Sequence, residues 1–348
     1  MSDLKRDYII DIIKVFSLLC VIIIHDSFTD SDILHYGFPF YLKGVVPVFI
    51  LLSAYVLSMS FDKKNIDTYK KAYSIKYLSI RLARFLIPYL FIISLQILFK
   101  YIFMNNEFSI RDTIYSLISG GYGPGGYYNV IMIQLVFLFP LIYFLVKKKG
   151  IYGLIMCFLM NLLFEIIQSS YLMNGSFYRL ISLRYIFVMG AGVFLYTSKK
   201  KFKPKVYIIS VIIGTLYILL VDYTNYKPLF LTKWSDTSLF FGFYMIPIIY
   251  NIMSIKRKDF NLKFIPLISK ASYNIFLIQM LLYYVFDSLN YSFTNTRFIN
   301  ILVMIVLSFS LGIIFYKIET PITKKVIKIL DNINIKNNGK IEDILLEN

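Results

Sequence analysis

The sequence predicts an all-α fold: a polytopic membrane helical bundle of about ten transmembrane helices with both termini cytoplasmic. Three observations carry this reading. First, the 348 residues are 58% hydrophobic and 18% aromatic, with a mean hydropathy of +0.66; soluble domains hold about 45–50% apolar residues. Second, the apolar residues come in runs near the roughly 20 residues that a helix needs to cross a bilayer. Third, charged residues are only 16% of the chain and cluster between those runs. Most basic residues fall in alternate loops, as the positive-inside rule requires.

The formal charge of +17 therefore reads as a topology signal, and no nucleic-acid partner is expected. As a second effect, the basic face attracts anionic cytosolic ligands. Cys20 and Cys157 both sit inside apolar runs, so neither a disulfide framework nor a metal site is expected. The first apolar run ends in His-Asp-Ser-Phe rather than small residues, so it is expected to be a retained span, not a cleaved signal.

Residues 1–6 form a short basic start. Span one covers 7–28, DYIIDIIKVFSLLCVIIIHDSF. It carries Asp11, Lys14, His25 and Asp26, and ionisable groups in a span are costly enough to mark function. Asp11 and Lys14 are about one turn apart. Lys14 and His25 are close to three turns apart, on one face and separated by roughly 16 Å along the axis. An imidazole accepts a proton near neutral pH, which a hydroxyl must lose to attack a thioester. Asp26 is a candidate to orient that ring. A histidine anchored at the membrane interface by snorkelling accounts for the same residue type.

Span two covers 40–59. The basic stretch 61–83 places Lys70, Tyr73, Tyr77 and Arg81 at helical spacing, so part of it is expected to lie along the membrane surface. Span three covers 84–104. Arg81 and Arg84 share a helix face, and guanidinium forks match phosphate geometry; an ordinary positive-inside flank explains them as well. The outer loop 105–127 contains SGGYGPGGYY. It lacks the Lys-Ser/Thr ending of a phosphate loop and reads as a turn. Span four follows and ends at 146; Tyr127, Tyr128, Asn129 and Gln134, which come after the glycines, are candidates to line a sugar-binding cleft.

Spans five to ten are expected at 151–168, 180–196, 206–221, 239–255, 272–288 and 299–316. Glu165 and Arg184 are expected to pair between spans five and six, because membrane charges find partners. Glu319 closes span ten, and the tail is expected to be partly amphipathic through Val326, Ile329, Leu330 and Ile333. Residues 1–321 form the transmembrane domain and 322–348 a cytoplasmic tail. Pro140 and Pro247 interrupt spans without a matched broken pair, which disfavours an inverted-repeat transporter.

Together these pieces resemble the membrane-bound acyltransferase-3 family, the bacterial polysaccharide O-acyltransferases, over 7–321. Asp11-Ile-Ile-Lys14 through Ile24-His25 is similar to the family's first span, and the segment Val46 to Tyr55 to its second. Arg81-Leu-Ala-Arg84-Phe-Leu-Ile-Pro88-Tyr89 is similar to its "R..R..P.Y" segment. Ser272 to Gln279 resembles its penultimate span and Ile318-Glu319-Thr320-Pro321 its closing "E.P". The resemblance implies a reaction: a donor acyl-CoA, most often acetyl-CoA, binds from the cytoplasm, and the acyl group reaches a hydroxyl of a cell-surface polysaccharide or its lipid-linked precursor. It implies His25 as catalytic histidine and Lys14, Arg81 and Arg84 on the acyl-CoA side, with no permanently bound cofactor. It implies a multi-pass protein of the bacterial cytoplasmic membrane, in contact with membrane lipid and associated with glycan-synthesis proteins. The chain departs from the pattern at Lys14, where most relatives carry Arg, and at Gln279, where many carry His. Tyr127-Tyr128 stands in for an aromatic "LW" feature, and no appended hydrolase-like domain is expected. The competing reading is a non-enzymatic polysaccharide exporter or flippase subunit, in which His25 is dispensable.

Overall fold

The computed structural model describes residues 8–26, 28–104, 107–170, 175–198, 203–224, 226, 239–255 and 264–346, with side chains to 332 in the last helix. The expected basic start, most of the loop 222–236, the basic stop 256–258 and part of 199–205 lie outside the described residues. Among the described residues all regular structure is helical.

The elements follow the hydropathy pattern in order. They are α1 (Tyr8–Ile24), α2 (Asp30–His35), α3 (Val45–Lys63), α4 (Tyr69–Ala72), α5 (Ile75–Leu98), α6 (Ile110–Ser119) and α7 (Tyr127–Lys149). Then come α8 (Ile151–Ser170), α9 (Gly175–Tyr178), α10 (Ile186–Thr197), α11 (Pro204–Ile218), α12 (Phe241–Met253), α13 (Phe264–Ser288) and α14 (Arg297–Leu346). Seven helices are long and apolar enough to cross a membrane. The other three expected spans coincide with the shorter apolar α1, α10 and α12. With no water in the hydrocarbon, only such internally hydrogen-bonded segments can span.

Apolar side chains face both ways. Leu18, Ile50, Leu52, Ile131 and Leu277 are sealed in the core, whereas Ile209, Ile212 and Leu216 of α11 and Leu159 and Leu163 of α8 are exposed. Lipid tails are as apolar as the core, so contact between helices depends on close packing rather than on the hydrophobic effect. Small residues supply it. A Cβ on Gly192 of α10 would stand 2.3 Å from the Leu51 carbonyl of α3, and one on Gly312 of α14 would stand 2.6 Å from Ile275 Cα of α13.

Three local expectations change. The stripe Lys70–Arg81 is not one helix: Ser74 caps α5 by accepting from the Tyr77 N–H, which ends the continuity after α4. The outer loop contains α6, started by a Ser109 cap and stopped by Gly120 at φ +100°. Its exposed Ile110, Ile114 and Ile118 suit a helix lying in the interface. Finally, α14 runs unbroken through Pro321, across the expected boundary at 321, and Lys76 Nζ holds Asp331 of its extension at 2.7 Å.

Candidate active site

Three cavities with shared walls succeed one another from the lysine-rich ends of α3 and α7 towards the end that carries α2 and α6, the second and third of them along α1. The innermost, a narrow space of about 20 Å³, lies among Leu57, Tyr77, Arg81, Phe85 and Met132. The next, of about 150 Å³, is lined by Lys14, Ser53, Phe85, Tyr128, Met132, Ser272 and Tyr273. Phe85 and Met132 are in both walls. The third, of about 310 Å³, is lined by His25, Lys43, Gly125, Tyr127 and Arg179. It shares Val21, Val46 and Phe276 with the second. Lys14 and His25 thus open into successive chambers, as helical spacing requires of residues on one face.

The basic end gathers three cations around one ring. Lys64 Nζ lies 5.9 Å and the Arg81 guanidinium 5.3 Å from the centre of Tyr77. Arg81 Nε donates to the Tyr77 hydroxyl at 2.9 Å and its terminal nitrogen to Ser60 Oγ at 3.0 Å. Arg84 is exposed beside them. Burial, then the repulsion of Arg81 and Arg84, holds the Lys64 pKa below its ordinary value. A cluster that costs repulsion is poised to take an anion, and guanidinium forks suit phosphate.

The far chamber is closed by the glycine-rich turn. Gly125 sits at φ +79°, and a Cβ there would stand 3.0 Å from His25 Nε2 and 3.3 Å from the Phe276 ring. The turn that the sequence predicts is present, and its glycines are what allow backbone to come this close to the imidazole. A Cβ on Gly123 would meet the Met280 carbonyl at 2.1 Å. On the other side, Tyr283 donates to the Ile22 carbonyl at 2.7 Å and sets its ring edge-on to His25, 6.1 Å between centres. The ring of His25 is therefore held between α13 and the turn.

Asp26 takes a different direction, as neighbours about 100° apart on a helix do. Its carboxylate lies 3.9 Å from Arg297 Nε and lines a separate outer pocket with Asp287, Tyr291 and Asn300. Asp11 accepts from Ser269 Oγ at 2.5 Å and fastens α1 to α13.

The sugar-cleft expectation divides. Tyr128 lines the second cavity, but Asn129 and Gln134 line none of the three. Asn129 donates to the Gly120 carbonyl at 3.3 Å and accepts from the Tyr273 hydroxyl at 3.2 Å, which holds the glycine turn. Gln134 donates to the Leu180 carbonyl at 2.7 Å and accepts from the Ser182 N–H at 2.9 Å, which holds the turn before α10. Gln134's amide is wholly committed to backbone and Asn129's partly so, because buried backbone groups need partners.

Glu165 and Arg184 come together through Tyr178. The Tyr178 hydroxyl donates to Glu165 at 2.8 Å and its ring lies 4.6 Å under the Arg184 guanidinium. All three are fully buried. Glu319 accepts from Asn274 Nδ2 at 3.1 Å and from Thr323 Oγ1, joining α14 to α13. Gln279 is fully buried in α13 and lines none of the three cavities. Lys43 and Arg179 were not singled out in the sequence, because each stands in a loop that only folding brings to His25. No group of metal-ligating side chains occurs among the described residues.

A family model described as an acyltransferase domain matches residues 7–317. No curated protein and no solved structure matches the chain.

Proposed function

The chain belongs to the acyltransferase-3 family of membrane acyltransferases, and from this we propose that it transfers an acyl group, most simply acetyl, from cytosolic acyl-CoA to a hydroxyl of a cell-surface polysaccharide or its lipid-linked precursor. The observation that supports this most is the file of cavities with Arg81 at its basic end, Lys14 midway and His25 at its far end. Lys64, Arg81 and Arg84 hold the CoA phosphates, and the pantetheine arm follows the file towards His25.

His25 takes the proton of the acceptor hydroxyl as the oxygen attacks the thioester carbonyl. The C–O bond forms and the C–S bond breaks. The CoA thiolate leaves with its electron pair and recovers the proton from the imidazolium. Gly125 and Tyr283 keep the ring in place for both proton transfers. Lys14 keeps the charge that relatives place there as Arg and acts as a point charge rather than a fork.

The test is the acyl content, by NMR, of surface glycan from a deletion strain complemented with wild type or His25→Ala. Polymer that is made and exported without acyl groups in the variant is the expected result. Unchanged acylation refutes the role of His25, and polymer trapped inside favours an exporter.

A further inference from the structure

We infer that the acceptor is anionic, and that Arg179 selects it by binding a carboxylate or phosphate group beside the hydroxyl to be acylated. This rests on the reading of His25 as the base. The chamber that holds His25 contains two cationic side chains, Lys43 and Arg179, and no carboxylate lines it among the described residues. The two cations are not equivalent. Lys43 Nζ is bonded to Asp222 at 2.7 Å, and both are largely buried, so that pair is neutral and structural. Arg179 is different: its Nε is buried with no hydrogen-bond partner among the described residues.

A guanidinium facing a cavity with a buried, unbonded N–H is costly unless a ligand completes it. Arg offers a planar fork that matches two oxygens of one carboxylate or phosphate. Its placement is built in: Gln134 clamps Leu180 and Ser182 on both sides of the turn that follows Arg179. The donor's own phosphates are an unsuitable occupant, because Lys64, Arg81 and Arg84 already serve them at the other end of the file. The neighbouring pocket holds the carboxylates Asp26 and Asp287 together with Arg297, so the cation there is already matched by acids, whereas no carboxylate lines the chamber of Arg179 among the described residues.

The experiment uses purified full-length protein in nanodiscs with radiolabelled acetyl-CoA. The acceptor is surface polysaccharide extracted from the deletion strain. It is used intact, after carbodiimide and borohydride reduction of its carboxylates, or after hydrofluoric acid removal of phosphodiesters. Wild type is expected to show an acceptor KM about 10- to 100-fold higher on one treated polymer, the loss of a charged hydrogen bond. Which treatment acts identifies carboxylate or phosphate. Arg179→Gln is expected to show the same rise on intact polymer, no further rise on that treated polymer, and an unchanged acetyl-CoA KM; Arg179→Lys falls between. Wild-type KM unaffected by both treatments overturns the inference without any variant. So does Arg179→Gln with a wild-type acceptor KM or a raised donor KM. Transfer that persists in His25→Ala sinks the functional reading instead.

Discussion

Replacing Gly125 by alanine tests whether the glycine turn positions His25. The new methyl would stand 3.0 Å from His25 Nε2, and 3.3 and 3.4 Å from two atoms of the Phe276 ring. Ordinary Cβ contacts begin near 3.4 Å, so the imidazole, which makes the closest contact, must withdraw by a few tenths of an ångström. The backbone adds strain, since φ is +79° and an L-residue there costs about 1–2 kcal/mol. A misplacement of about 1 Å can cost about 100-fold in rate, so a shift of a few tenths is expected to lower kcat by about tenfold with little change in donor KM. Gly150 supplies the control. It has φ +58° and nothing within 4 Å of a new Cβ, and it joins α7 to α8 at the opposite end of the bundle. Gly150→Ala carries the backbone strain without the contacts and is expected to lower the melting temperature of the nanodisc protein while retaining transfer of label from acetyl-CoA to polymer. Wild-type kcat in Gly125→Ala, or an equal loss in Gly150→Ala, refutes the positioning argument.

Three further outcomes follow from the geometry. Arg81→Lys keeps the charge but loses the fork that reaches Tyr77 and Ser60; an acyl-CoA KM raised about tenfold, with acceptor KM unchanged, is expected in steady-state assays. Tyr178→Phe removes the hydroxyl that donates to buried Glu165 and is expected to destabilise the protein by about 1–3 kcal/mol; a thermal melt matching wild type would contradict it. Asp32 donates no proton in its clasp with Arg297, a 2.7 Å bond from α14 to α2. That bond, then the Thr29 contacts, holds its pKa below the ordinary value. The clasp is thus intact above the unfolded carboxyl pKa of about 3.9 and is lost as pH falls through the lower folded value. Protection of α2 against hydrogen exchange, relative to the intrinsic rate at each pH, is expected to hold from neutral pH to about pH 4 and to fall below it, whereas Asp32→Asn should be poorly protected throughout.

The parts legible in advance were those that one helix encodes alone. Span one placed Lys14 and His25 on one face because helical pitch is fixed by the backbone, and both residues do open into the cavity file. Arg81 and Arg84 share a face of α5 for the same reason, and Arg81 lines the innermost cavity. Asn129 and Gln134, expected in a sugar cleft, instead bond to groups elsewhere along the chain: Asn129 to the Gly120 carbonyl and the Tyr273 hydroxyl, Gln134 to the Leu180 carbonyl and the Ser182 N–H. A sequence shows that an amide is present and not which carbonyl it will meet.

Hydrophobic run length and charge placement determined the membrane class, the order of the spans and the candidate histidine, since a bilayer acts on each segment separately. Tertiary packing decided the rest. It folded the glycine turn onto His25, turned Asp26 into another pocket, and brought Lys43 and Arg179 into the chamber from separate loops. Those outcomes depend on how closely helices approach, which Gly192 and Gly312 permit and which contacts across the whole bundle then fix.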